Sequence, residues 1–283
     1  MRSKWLKIIV PVLLLALCFK VDAQSIGGIS DIQMDERELY AMTKQMGQFI
    51  HRFNYEEDSY GKRLYANDKD YRSAKKRQET LPILFDLDNP RTNGALSEYF
   101  VEDVTKNNVQ FFEFLGGNWF SEVTAKFKYK GKTVDISLIM AIEKEGLGSK
   151  WVITNVFFSE FQKLFPQGEM TEREKHYLHP MSHELDFMNI YKVFNNPQII
   201  EYYASSDFTP NYLTLFFYEI KQGNLKFEHV DKVKFHIFQI KDWYFEVSWF
   251  NRNGYNSGWL ISNLVYLREE EKISLLKLYQ PEK

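Results

Sequence analysis

The sequence predicts an α+β fold made of two tandem units, each with helices packed on a curled antiparallel sheet. Three observations predict it. The chain carries an internal repeat, the hydrophobic period changes from helical to alternating within each repeat, and 283 residues include 24 Phe, 17 Tyr and 6 Trp. Aromatic side chains bury large areas and favour strands, so this composition reads as a large sheet-based core.

The repeat is the strongest of the three. A shift of 108 positions aligns Lys126–Phe158 on Lys234–Tyr266 without a gap, and Lys126/Lys234, Phe127/Phe235, Gly146/Gly254, Ser149/Ser257, Trp151/Trp259, Ile153/Ile261 and Asn155/Asn263 are identical. A common turn followed by a common strand accounts for the block. The glycine serves a positive-φ turn position, and Trp and Ile on alternate residues mark one buried face. Trp151 and Trp259 are therefore expected to be mostly buried in equivalent places. Upstream, Tyr99–Phe111 pairs with Leu215–Phe227 after a shift of 116.

Taken in order, residues 1–23 read as an export signal. Arg2, Lys4 and Lys7 precede the apolar stretch Ile8–Phe19, and Val21-Asp22-Ala23 offers a cleavage site before Gln24. Twelve apolar residues fall short of the roughly 20 that a membrane-spanning helix needs. Cys18 follows the bulky Leu17 and makes a poor lipidation site.

The first unit spans 30–158. Leu39, Met42, Met46, Phe49 and Phe53 recur at helical spacing, and Ser30 with Gln33 suits a capping box. After the polar stretch Asn54–Arg77 come short helical pieces near Arg77–Phe85 and Leu96–Lys106. Strands are expected at Val109–Phe114, Glu122–Tyr129, Thr133–Ile142 and Trp151–Phe158, with a turn at Lys130-Gly131. A charged linker, 159–182, contains Pro166 and Pro180. The second unit, 183–267, has helix starts marked by Asn196-Pro197 and Thr209-Pro210 and a helix stop at Gly223. Its strands are expected at Leu225–Val230, Lys232–Gln239, Trp243–Phe250 and Trp259–Leu267. Residues 268–283 read as a charged C-terminal tail.

This order of helices then strands, with the Gly-x-x-Ser-x-Trp-x-Ile-x-Asn block in both copies, resembles the nuclear-transport-factor-2-like (cystatin-like cone) superfamily in tandem. The resemblance implies helices on the concave face of each sheet. It does not choose a function, because the superfamily holds both enzymes and binding modules.

Composition excludes several classes. Residues 1–23 hold four of the 36 basic and one of the 38 acidic residues, so the mature chain keeps 32 against 37, a net charge of −5. A mildly acidic chain without a basic stripe does not suit nucleic acid. Cleavage also removes the sole cysteine, and with it disulfide, thiolate and cysteine-metal chemistry. No other stretch is apolar enough to span a membrane. Nucleophile-elbow, phosphate-loop and dinucleotide fingerprints are absent, and no cofactor is implied.

The second copy carries the candidate site. Ile136, Leu138 and Met140 of the first copy stand opposite Tyr244, Glu246 and Ser248 in the gapless alignment. These three are the candidate ligand-binding residues if they point into the cone. The reverse face then holds Phe238, Trp243, Phe245, Val247 and Trp249 beside Lys234 and His236. The alternative is a bulge that flips the strand, making the aromatics core and leaving Glu246 wet. No catalytic residue is assigned. His176, His179 and His183 have metal-site density, but Pro180 breaks any helix that would align them, and no metal is assigned. The tyrosine-rich loop 54–76 suits contact with the other unit or a partner. The reading is thus an exported, non-enzymatic ligand-binding or protein-interaction module of periplasm, cell surface or medium. The alternative is a small-molecule isomerase or hydro-lyase using the second cavity.

Overall fold

The protein is described here from a computed structural model covering residues 45–146, 148–165, 175–254 and 256–280. The expected leader, the Ser30–Gln33 cap, and Leu39 and Met42 lie outside the described residues. The first helix among the described residues, α1 (Met46–Phe53), buries Met46, Phe49, Ile50 and Phe53, one stripe at helical spacing. Helix α2 (Ala74–Thr80) starts on the Ser73 side chain, which accepts from the Lys76 amide, and passes into a 3₁₀ turn over Leu81–Leu84. Helix α3 (Ala95–Glu102) widens into a π-turn, Asp103–Asn107.

Six strands follow in two runs: β1 (Trp119–Tyr129), β2 (Lys132–Glu145) and β3 (Gly148–Phe157), then β4 (Leu225–Ile237), β5 (Trp243–Phe250) and β6 (Gly258–Tyr266). Between the runs lie, among the described residues, the short helices α4 (Ser159–Gln162) and α5 (Tyr191–Asn195), three 3₁₀ stretches around α5, and α6 (Tyr212–Lys221). All strands belong to one antiparallel sheet of order β3-β2-β1-β4-β5-β6. The β1–β2 turn is the expected Lys130-Gly131, with φ of 49° and 80°, the two positive values that a tight hairpin turn of this hand requires.

Three expectations are corrected. Val109–Phe114 is not a strand. The Asn54 side chain takes the place of a neighbouring strand, accepting from the Phe112 amide and donating to its carbonyl, both at 2.8 Å. Leu225–Val230 and Lys232–Gln239 are not two strands but the single β4, whose ladder with β1 shifts register twice. Helix α6 starts two residues beyond Thr209-Pro210, because Asn211 is its cap and accepts from the Thr214 amide at 2.9 Å. Asn196 does cap its proline-led turn, and Gly223 does end α6, at φ 72°.

The helices cross over between the two runs. Helices α1 and α3 and the 3₁₀ turn, all from the first half of the chain, pack on β4, β5 and β6. Their core joins Phe49, Phe53, Leu81, Phe85 and Phe100 to Phe235, Trp243, Phe245, Val247, Ile261 and Leu264. Phe53 stacks on Phe245 with ring centroids 6.0 Å apart, and Phe100 meets Trp243 edge-on at 5.0 Å. Conversely α6, from the second half, brings Phe216 onto Phe127, Ile136 and Leu138 of β1 and β2. Residues 269–279, within the expected charged tail, form helix α7 (Glu269–Tyr279), which lays Leu275, Leu276 and Tyr279 over the other face of the sheet against Phe120, Ile139, Phe238 and Tyr244. Among the described residues no helix is long and apolar enough to cross a membrane.

A buried cation anchors the first half. Arg77, wholly buried, has no carboxylate beside it; it donates to the carbonyls of Phe53, Val104 and Gln110 at 3.1, 3.1 and 2.6 Å. Burial pushes its guanidinium down to about 10, still well above neutrality. Those three carbonyls tie α1, the π-turn and the irregular 109–114 segment together.

Candidate functional site

Register decides what Tyr244, Glu246 and Ser248 face. Ile139 pairs with Asn155 and Met140 with Ile153, leaving Thr154 as a bulge in β3. Glu246 pairs with Asn263 and Val247 with Ile261, leaving Ser262 as a bulge in β6. The bulges stand 108 residues apart, as the repeat requires, but their partners Ile139 and Glu246 stand 107 apart. A gapless alignment is therefore one residue out through β5, and one residue is enough to exchange the faces of a strand. Trp243, Phe245 and Val247 are the positional counterparts of Ile136, Leu138 and Met140, and all three are buried against the helices.

Tyr244 and Glu246 accordingly lie on the opposite face, under α7, and do not enter a cone. Ser248 joins them on that face but bonds Ser262 Oγ at 2.9 Å. His236, expected on the reverse face, is directly paired with Glu246 across the β4–β5 ladder and so shares its face. Trp249 does lie on the other face, ring against Trp259 at 5.5 Å. Trp151 is 39% exposed and Trp259 half-buried, so the repeated tryptophans are less buried than expected.

The structure assembles a polar cluster on this face that the sequence did not nominate as a group. His236 is fully buried between two rings, Phe120 at 4.9 Å and Tyr279 of α7 at 4.7 Å. Its Nδ1 lies 2.8 Å from Tyr244 Oη and its Nε2 lies 3.0 Å from Glu122 Oε2. Tyr244 in turn donates to Glu246 Oε1 at 2.8 Å, and Lys234 Nζ reaches Glu246 Oε2 at 2.9 Å. The hydrogen-bond roles follow once both carboxylates are taken as ionised. A carboxylate only accepts, so the single phenolic proton goes to Glu246 and Tyr244 Oη must accept from Nδ1–H. Glu122 likewise accepts from Nε2–H. With both carboxylates ionised, both nitrogens are placed to donate, the arrangement that suits an imidazolium ring. Two cations, His236 and Lys234, then balance two anions, Glu122 and Glu246, so that no net charge is buried.

Electrostatics agree with that balance. The His236 hydrogen bond holds the Glu122 carboxyl below its ordinary value against the opposing effect of burial. Burial would raise Glu246, but bonds from Lys234 and Tyr244 outweigh it and hold it low. Burial, with Glu246 adjacent, drives the Tyr244 phenol upward and makes it a poor acid. The cluster is thus a saturated ion network closed by α7. Asn155, the asparagine shared by both repeats, fastens the end of that helix by donating to the Tyr279 carbonyl at 3.0 Å.

The remaining candidates resolve into local roles. Glu56, buried in the 54–76 loop, accepts from Arg72 Nε at 2.8 Å and lies 2.9 Å from His51 Nδ1. Burial would raise its carboxyl, but Arg72 and His51 hold it low. Arg72 also bonds Glu113 at 2.8 Å, so the loop is fastened to its own half. His179 Nδ1 accepts from the Met181 amide, His183 bonds the Pro180 carbonyl, and His176 lies against the Tyr202 ring. Among the described residues no three His, Cys, Asp or Glu side chains are arranged to hold a metal. No protein family, curated protein or solved structure matches the chain.

Proposed function

We propose that the chain is an exported protein-interaction module, released by cleavage after Ala23, that acts without chemistry at Tyr244 and Glu246. One observation carries this reading. Met181, Leu185, Phe187, Met188, Ile190, Tyr191 and Phe194 follow one another within 14 residues, and each is between 48 and 67% exposed. Single exposed apolar residues are ordinary on a protein surface, but large groups of them mark contact sites. The saturated ion network supports the same reading from the other side, since it leaves no free acid or base to act on a substrate.

A photo-reactive residue at Met188 or Phe194, in the cell that makes the protein, is expected to cross-link to another protein chain. Met188→Asp is expected to abolish the cross-link from position 194 and leave the fold intact. Adducts no stronger than those from exposed Lys144, or adducts to lipid alone, would overturn the reading.

The two runs of strands are further inferred to descend from one duplicated unit of the nuclear-transport-factor-2-like kind. The 108-residue spacing of the Thr154 and Ser262 bulges supports this, together with the identical residues of the repeat. Bulges are positional features that a common ancestor would bequeath to both copies.

A further inference from the structure

A cleft of about 320 Å³ opens between α2, the 3₁₀ turn and α3, and none of its lining residues belongs to the ion network or to the 181–194 run. Its floor is apolar: Phe85 and Val101 are buried, and Leu87 lies beside them. Its rim carries the carboxylates of Glu98 and Glu102 and the amide of Gln78. No basic side chain lines it. The wall is fixed in advance. Thr92 Oγ1 donates to the Asp86 carbonyl at 2.7 Å, Asn93 Nδ2 donates to the Leu87 carbonyl at 2.9 Å, and Arg252 clamps the Asp86 carboxylate at 2.7 Å.

Shape and charge together define what fits. The volume accommodates roughly ten water-sized groups, the lower end of the range for small-molecule sites. An apolar floor favours a hydrocarbon or aryl body. Two carboxylates on one rim, without a cation among the lining residues, favour a positive head and disfavour an anion. The neighbouring Lys106 touches Glu102 at 3.6 Å, but both side chains are more than half exposed. Such a pair is worth little and yields readily to a ligand cation.

We propose that this cleft binds a small organic cation, a primary ammonium or guanidinium group on a short apolar body, with the body on Phe85, Leu87 and Val101 and the head between Glu98 and Glu102. The proposal does not rest on the interaction surface at 181–194, and either can fail alone.

The test uses three probes of one shape, phenethylammonium, 2-phenylethanol and phenylacetate, titrated into the full mature chain and followed by amide shifts. Phenethylammonium is expected to move the amides of Gly94, Ser97, Glu98 and Glu102 and to bind at least about tenfold more tightly than the alcohol. Phenylacetate is expected not to bind. In the doubly substituted variant, Glu98→Gln with Glu102→Gln, ammonium affinity should fall to that of the alcohol. Both side chains are exposed, and the same spectra report whether the variant is folded. Absence of shifts at these amides with about 10 mM phenethylammonium would overturn the proposal. So would equal binding of ammonium and alcohol, or undiminished ammonium binding by the double variant.

Discussion

Glu246→Gln tests the ion network most directly, because it removes one charge and keeps the side-chain volume. In the native protein Glu246 accepts from Tyr244 and from Lys234, with its side chain only 15% exposed. The amide still accepts one hydrogen bond, so the bond from Tyr244 weakens from charge-assisted to neutral, at a cost of about 1 kcal/mol. Lys234 loses its counter-ion. It is 37% exposed and recovers part of its hydration, so its share is also about 1 kcal/mol. The imbalance left by two cations against Glu122 brings the expected loss to about 2–3 kcal/mol at pH 7. Urea unfolding, with the slope unchanged, measures it. The pH dependence is a second check. Glu246 and Glu122 both titrate lower in the fold than their ordinary 4.5. Their stabilisation is therefore complete above that value and is lost as pH falls through the lower, folded values. The gap between wild type and Glu246→Gln should narrow over the same acidic range, where the native carboxyl is itself protonated. A loss below about 0.5 kcal/mol at pH 7, or a gap that persists unchanged into acid, would refute the charge-balance argument.

Four further outcomes are expected. Nitrogen-15 spectra at neutral pH should show both ring nitrogens of His236 protonated; a neutral tautomer would contradict the proton count. Arg77→Met should cost about 3–5 kcal/mol in chemical unfolding, because three buried carbonyls lose their donor, whereas Trp151→Ala, at a site 39% exposed, should cost clearly less than Trp243→Ala. Mass spectrometry of the protein recovered outside the cytoplasm should give Gln24 as the first residue, and an intact Met1 would exclude cleavage.

The α+β class, the Lys130-Gly131 turn, the strand positions from Glu122 onward, apart from the division of β4 into two, and the Asn196 and Gly223 boundaries were legible because each rests on local chemistry. What was not legible depended on single residues acting at a distance. Asn54 satisfies the backbone of Phe112 from 58 positions away, which makes a strand-like sequence irregular. One residue fewer than the gapless alignment assumes before β5, regained before β6, exchanged the faces of Tyr244 and Trp243. The aromatic alternation of Trp243, Phe245 and Val247 was the available signal, and it pointed to the core correctly once read without the alignment. Glu122 and Tyr279 were missed because a lone glutamate in a strand and a tyrosine in a charged segment carry no pattern by themselves. The sheet order, which sets β1 beside β4, brings Glu122 to His236, and the packing of α7 over that face brings Tyr279.

The crossing of helices and strands also bears on when this protein can fold. Trp243 reaches Asp103 across 140 residues, and Arg252 reaches Asp86 across 166. The helices made first lack most of the strands they cover until the last third of the chain exists, and β1 has no β4 to pair with. Contacts so distant are closed late and slowly, since the entropy of the intervening loop is lost before any burial compensates it. During synthesis the local β1-β2-β3 meander can pair early, whereas the core between the first helices and β5 and β6 waits for the C-terminal strands. Under the export proposed above, late closure of this core would suit a polypeptide that crosses a membrane extended and completes its fold on the far side.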